Sequence, residues 1–272
     1  MVVVSLPCDR VGMSGILRGF FALQDAVVGA VSTREGGVSK PPYDSANMGL
    51  HVGDDPVAVI ENRRSFCSPI GIDSNDLVCA EQVHGNRIAT VTESDRGSGA
   101  ASASDALSGV DGLLTDVPAL PLAVFTADCV PLLLYEPVKR VVGIAHAGWR
   151  GTAAGTARAL VESLQEHFDG DPGSCRIVLG PSAGPCCYEV GDDVVTAFGE
   201  HGHPVARVFS DDAPGKPHLD LWEANTVQLE RCGVPRGNVV WTKRCSVCSG
   251  AYFSCRRDGA VTGRNMSVIM LT

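Results

Sequence analysis

Two imidazoles and one thiol are the side chains of this sequence best placed to do chemistry. His84 stands in Glu81-Gln82-Val83-His84-Gly85, Cys129 in Thr126-Ala127-Asp128-Cys129-Val130-Pro131, and His146 in Ala145-His146-Ala147-Gly148-Trp149-Arg150-Gly151. A His₂Cys set binds a transition metal and leaves a fourth position open to water or substrate. That open position distinguishes a catalytic site from a structural one closed by four protein ligands. Each residue also has a plainer reading. Cys129 could be a core thiol, the commoner fate of a cysteine in an apolar stretch. His84 alone reads as a satisfied histidine, and its weight comes from its company.

Asp128 shifts the balance for Cys129, because a carboxylate is not placed in a core without a partner. It is a candidate proton carrier, or a hydrogen-bonding support for a metal-bound histidine. Pro131 places Asp128 and Cys129 at a strand end. After His146, Gly148 and Gly151 flank Trp149-Arg150 and lead into a helix, which suggests an anion site with Arg150 as a fixed charge and the helix start at Thr152. Arg34 beside Gly36-Gly37, and Asn47 with His51, form a second polar cluster: a solvated loop or a substrate clamp, with Arg34 as a phosphate ligand.

Other thiols carry weaker signals. Cys245-x-x-Cys248 with Cys255 is at most half of a zinc knot. Cys186 and Cys187 are adjacent, which argues against one shared ion and for packing or surface thiols. His201-Gly202-His203 lies in a polar loop.

These side chains need elements to position them. Strands are expected over Ala26–Thr33, Asp76–Val83, Leu120–Phe125, Pro131–Tyr135, Val141–Ala145, Ile177–Leu179, Val239–Trp241 and a last one through Val268-Ile269-Met270. Continuous apolar runs among them imply strands buried on both faces. Helices are expected from Asp54-Asp55-Pro56 to Cys67, from Thr152 to Phe168, over Val190–Phe198 and over Leu219–Arg231. Residues 96–108, rich in Gly, Ala and Ser, read as a mobile surface loop. Interleaved strands and helices with short connections imply an α/β or α+β class with a mixed sheet.

The chain has 272 residues, 44% of them hydrophobic, and a formal charge of −9. The charge argues against nucleic-acid binding, which needs clustered Lys and Arg. Val2-Val3-Val4 is too short for a signal sequence, and residues 20–31 are too short and too polar to span a bilayer. Eleven cysteines without a signal point to a reduced, cytoplasmic protein.

Several motifs together resemble the YfiH-type purine nucleoside phosphorylases, also called laccase-domain proteins, multicopper polyphenol oxidases or peptidoglycan editing factors. They are Ser32-Thr33-Arg34-x-Gly36-Gly37, Asn47-x-Gly49-x-His51-Val52-Gly53-Asp54-Asp55, Gln82-Val83-His84-Gly85, Asp111-Gly112-Leu113-Leu114-Thr115-Asp116, Ala127-Asp128-Cys129-x-Pro131, His146-Ala147-Gly148-Trp149-Arg150-Gly151, Cys186-Cys187-Tyr188-Glu189-Val190 and Arg256-Arg257-Asp258-Gly259-x-x-Thr262-Gly263-Arg264. The likeness runs from about Val31 to the C-terminus, leaving a variable N-terminal segment, residues 1–25. It implies an α+β fold: one domain over residues 1–272 of mixed β-sheets sandwiched by helices, the CNF/YfiH-like cysteine hydrolase fold. It implies zinc, with copper as an alternative, on His84, Cys129 and His146, and purine nucleosides and phosphate as partners. Arg34, Asn47, Arg150 and Arg264 become candidate substrate residues.

The implied activities are phosphorolysis of adenosine, inosine, guanosine and methylthioadenosine, and deamination of adenosine. Cys255 is a departure, standing where the family more often has an aromatic residue. The laccase label itself fails on arithmetic: a multicopper oxidase needs roughly ten histidines for its copper centres, and this chain has seven. Two other readings remain at this point. One is a thiol hydrolase with Cys129 as nucleophile and His146 or His84 as base, including an editing factor for peptidoglycan precursors. The other is a non-enzymatic metal-holding partner protein.

Overall fold

A computed structural model of the chain describes residues 26–210 and 216–272. The variable segment expected over residues 1–25 lies outside them. Chain order gives β1 (Val27–Val31), α1 (Pro56–Cys67), β2 (Val78–Cys79), β3 (Ile88–Thr90), β4 (Gly112–Thr115), β5 (Leu122–Thr126), β6 (Val130–Glu136) and β7 (Val141–Ala147). There follow α2 (Trp149–Ala154), α3 (Thr156–Phe168), β8 (Arg176–Leu179), α4 (Asp192–Glu200), α5 (Val205–Val208), β9 (Phe209–Ser210) and β10 (His218–Leu219). The last elements are α6 (Leu221–Arg231), β11 (Val239–Trp241), α7 (Cys255–Asp258) and β12 (Asn265–Leu271).

Two mixed sheets stack face to face. One has six strands in the order β11-β8-β6-β7-β4-β3, the other four in the order β1-β12-β5-β2. The alternation of β6 shows how the layers form, because successive side chains leave opposite faces of a strand. Leu132 and Leu134 join a core with Leu160, Val161 and Leu164 of α3 and Ala224 and Val227 of α6. Leu133 and Tyr135 join a second core with Leu122, Val124, Ile269 and Leu271 of the other sheet. That sheet's outer face presents Phe125, Met266, Val268 and Met270 to Phe66 and Cys67 of α1. Both sheets are thus covered on both sides, as their apolar runs require. Burying each such leucine contributes roughly 1.5–3 kcal/mol.

Several boundaries differ from the sequence expectation. The helix expected from Thr152 begins at Trp149 and is interrupted at Gly155, whose φ of 94° is left-handed. The strand expected over Asp76–Val83 shrinks to Val78–Cys79. Gln82 uses its side chain to extend the pairing: its amide donates to Phe125 O at 2.7 Å and accepts from Phe125 N at 2.7 Å. The strand expected from Pro131 begins one residue earlier, at Val130, so Asp128 and Cys129 do lie at a strand end, with Pro131 opposite His146. The stretch over residues 96–108 is anchored, contrary to the mobile-loop reading, because Arg63 of α1 reaches the carbonyls of Gly99 and Ala100 at 2.8 Å each. The short strands β3, β4, β9 and β10 carry too few residues to show a period.

Candidate metal centre

The ligand atoms of His84, Cys129 and His146 all lie within 4.8 Å of one another. Three different pieces of chain deliver them. His146 is a residue of β7, with its backbone N–H donated to Asp111 O at 2.7 Å. Cys129 immediately precedes β6, and His84 sits in the loop before β3. The two imidazole rings meet edge to face, with centroids 4.8 Å apart. His84 (φ 62°) and Asp128 (φ 94°) both hold left-handed backbone. Such conformations cost non-glycine residues about 1–3 kcal/mol and persist where surrounding bonds enforce them.

Those bonds are present. Asp111 heads β4 with its carboxylate buried. Its Oδ1 accepts from His84 N at 2.9 Å and lies 2.9 Å from His146 Nδ1, while its Oδ2 accepts from Gly85 N at 2.7 Å and Val83 N at 3.3 Å. One carboxylate therefore shapes the His84 loop and turns the other ring nitrogen of His146 toward the centre. Asp111 carries no sequence signal of this role beyond its place in the Asp111-Gly112-Leu113-Leu114 motif. A carboxylate one glycine ahead of the apolar pair Leu113-Leu114 is the available signal.

Asp128 faces elsewhere. It accepts from Ser246 Oγ at 2.6 Å and from Arg256 N at 2.7 Å. The bond to a ring nitrogen of His146 considered for Asp128 is made by Asp111. Asp128 thus ties Cys129 to the Ser246 loop and to the first turn of α7.

The electrostatics favour a thiolate. Burial pushes the Cys129 thiol up, but His146 and His84 override it and bring it to about 6. Burial pushes His146 down, while the Cys129 sulfur and the Asp111 carboxylate raise it to about 9. Asp111 is pushed up by burial and pulled below its ordinary value by His146 and by the N–H groups of Gly85 and Val83.

A metal fits this donor set. One sulfur and two imidazoles converge, a carboxylate fixes the orientation of one ring, and no fourth Asp, Glu, His or Cys joins the group among the described residues. Space is kept open by Gly148. A Cβ there would lie 2.8 Å from Cys129 Sγ and 3.1 Å from His84 Cδ2.

The other expected residues are placed as follows. Arg150 stacks on Trp149, 4.2 Å from the ring centroid, and makes no ion pair among the described residues. Thr152 is buried and its N–H is bonded to Gly148 O, so it offers no free helix-start donor. Arg34 is held by Asp44 O at 3.0 Å and Asp258 Oδ2 at 3.3 Å, against the Phe253 ring. Asn47 is buried and its hydrogen-bonding capacity is taken up by Gly49, Asp54 and the N–H of Arg264. Arg264 Nη1 bonds Thr262 O and Gly263 O, and with burial and Arg63 it keeps His51 neutral, pushed down to about 4.

Two further residues lie close to the centre. Tyr188 lies within electrostatic reach of Cys129, Arg256, Asp128 and Arg150, and Arg256 packs over its ring at 5.1 Å. Cys255 lies near Arg264, Asp128 and Cys129. It belongs to the wall of this centre, not to the Cys245-x-x-Cys248 pair.

Two stacked mixed sheets between helices, with a buried-carboxylate-supported His₂Cys centre at one strand end, define the class. The chain belongs to the family described as multi-copper polyphenol oxidoreductase laccase, which residues 28–272 match. It is 44% identical over 244 residues to "Purine nucleoside phosphorylase YlmD" of Geobacillus stearothermophilus, covering 89% of each chain. It is 37% identical over 252 residues to "Adenosine deaminase RL5" of an unknown prokaryotic organism, covering 92% of this chain and 96% of that one. The crystal structure of the Bacillus licheniformis hypothetical protein YfiH superimposes with a TM-score of 0.88 at 41% identity, covering 90% of this chain and 93% of that one. No helix among the described residues is long and apolar enough to cross a membrane.

Proposed function

We propose that this chain is a metal-dependent purine nucleoside phosphorylase that also deaminates adenosine, with zinc, or copper in its place, on His84, Cys129 and His146. The observation that carries this is the convergence of three ligand atoms within 4.8 Å, with no fourth protein ligand in the group. The names of the relatives, a purine nucleoside phosphorylase and an adenosine deaminase, supply the substrate class. Bound there, the ion supplies a Lewis acid and an activated water for deamination.

The chain's own residues do the rest. In phosphorolysis a phosphate oxygen forms a bond to C1′ of the ribose as the C1′–N9 bond breaks, and the purine leaves with the electron pair. Arg150 and Arg256, both beside Tyr188, are the cations placed to hold phosphate. Arg34 contributes less, since Asp258 and Asp44 already pair with it. Asn47 acts by holding the Arg264 backbone. Asp128 positions Cys129 through Ser246 and Arg256.

The deciding experiment is incubation of the purified chain with adenosine or inosine, with and without phosphate. Ribose 1-phosphate is expected only with phosphate, and activity is lost to a chelator and restored by zinc. Undiminished phosphorolysis by Cys129→Ala would remove the mechanism.

A second reading has its own observation. Cys129, His146 and Asp111 line up as thiol, imidazole and carboxylate, the order of a cysteine hydrolase acting on an acyl or peptide bond, as an editor of peptidoglycan precursors would. It predicts activity insensitive to chelators and abolished by alkylation. His84, against the same sulfur and the His146 ring, is superfluous to that chemistry and favours the metal reading.

A further inference from the structure

A second group of donors lies apart from the His₂Cys centre. The sulfurs of Cys186, Cys187, Cys245 and Cys248 all lie within 4.8 Å of one another. Cys248 Sγ is 3.1 Å from Cys187 Sγ and 3.4 Å from Cys186 Sγ. The sequence alone argued against adjacent cysteines sharing an ion and offered Cys255 as the third thiol. The structure brings both adjacent thiols together with Cys245 and Cys248, and sets Cys255 beside Cys129 instead.

The fold explains the meeting. A parallel bridge joins Ser182 to Cys245, and Ser246 N donates to Ser182 O at 2.8 Å, so the loop after β8 runs beside the loop after β11. Past the bridge, Cys187 N and Tyr188 N both bond Gly184 O, at 2.9 and 3.0 Å, coiling the chain into a turn. On the other loop, Ser249 N bonds Cys245 O at 3.0 Å. The two turns face each other, each presenting two thiols. The N–H groups of Gly184 and Cys248 are aimed at the Cys245 sulfur, an arrangement that supports a negatively charged sulfur.

We infer that Cys186, Cys187, Cys245 and Cys248 form a tetrathiolate site for a structural zinc ion. A tetrahedral ion with zinc–sulfur bonds of about 2.3 Å needs sulfur–sulfur edges of about 3.8 Å, and the observed separations of 3.1 Å, 3.4 Å and up to 4.8 Å bracket that edge. Four protein ligands close the coordination sphere, so the site holds structure and does no chemistry. Binding displaces the thiol protons to solvent as the four sulfurs become thiolates.

The position of the knot gives it a purpose. Tyr188 follows Cys187 directly and lies in the wall of the His₂Cys centre. Ser246 follows Cys245 and donates to Asp128, the neighbour of Cys129. One ion therefore pins together the two loops that flank Asp128 and Cys129. This holds whether or not the nucleoside reading is right, because it concerns metal content and loop order.

The test is a metal count on the full chain purified under reducing conditions. About two zinc ions per chain are expected for the natural sequence, and about one for Cys129→Ala and for Cys248→Ser. A folded Cys129→Ala chain without zinc overturns the proposal. Should the variants fail to fold, cobalt loading of the natural chain decides, because sulfur-to-cobalt charge-transfer absorption grows with the number of thiolates. Absorption matching five thiolates over two ions supports the site, and absorption matching one thiolate refutes it. A chain two hydrogens lighter in non-reducing mass spectrometry, with Cys187 joined to Cys248, also refutes it.

Discussion

Asp111 Oδ1 lies 2.9 Å from His146 Nδ1, with both side chains buried. This pairing sets which nitrogen of His146 faces Cys129 and strengthens that nitrogen as a donor. The same carboxylate accepts three backbone N–H groups from Val83, His84 and Gly85. It therefore places two of the three proposed ligands at once.

Asp111→Asn keeps the shape but offers a single acceptor oxygen and no charge. Metal affinity at the His₂Cys centre is expected to fall by about 10- to 100-fold. Competition with a chromophoric chelator measures it. Wild-type affinity in a folded Asp111→Asn chain would show that the carboxylate contributes nothing to the centre.

Gly148→Ala isolates the role of space. Gly148 has φ −73° and ψ 173°, a conformation open to alanine, so the backbone does not require glycine. The added Cβ would lie 2.8 Å from Cys129 Sγ. Displacing a reacting group by roughly 1 Å can cost about 10²-fold in rate. The expected outcome is a loss of activity of that order, with a thermal midpoint close to that of the natural chain. A large fall in the midpoint would mean that the glycine serves packing instead.

The convergence of His84, Cys129 and His146 was legible because each stands in a short segment with an obvious turn or strand end, and the layered class was legible because β6, β7 and β12 are long apolar runs. Asp111 was hidden because its partner His146 is 35 residues away in the chain. Spacing carries no trace of pairing between non-neighbouring strands. The cysteine cluster was hidden for the same reason: 61 residues separate Cys187 from Cys248, and the bridge between their loops is one residue pair long. Asn47 shows a further blind spot: its type marks a polar loop, but only the structure shows that its side chain is spent on holding Gly49, Asp54 and Arg264.

His51 gives a pH-dependent prediction. Burial, then the charges of Arg264, Arg63 and His146, lower it from 6.5 to about 4. Between those values the unfolded chain binds the proton and the folded chain does not, so this group makes stability fall as pH drops through the window. Its ring proton is expected to titrate by NMR near 4. Arg264→Gln removes the second-largest cause and should move the midpoint up toward 6.5. An unshifted midpoint would rule out Arg264 as a neighbour that matters to His51.

Arg63 provides the sharpest test of how the fold supports the site from a distance. It is 2% exposed, lies over the Phe125 ring at 4.6 Å, and donates to Met48 O at 2.9 Å and to Gly99 O and Ala100 O at 2.8 Å each. No ion pair to a carboxylate is present for it among the described residues, so carbonyl dipoles and the Phe125 ring face hold the charge. Arg63→Met fills much of the same volume but leaves three carbonyls without their donor, each costing about 1–3 kcal/mol where water cannot reach. Urea unfolding is expected to show a loss of at least roughly 3 kcal/mol, about 1 kcal/mol for each of the three carbonyls. The segment around residues 96–108, tethered by this guanidinium, should be cut by protease far faster in the variant. Equal cleavage rates in the two chains would show that the segment is held by something other than Arg63.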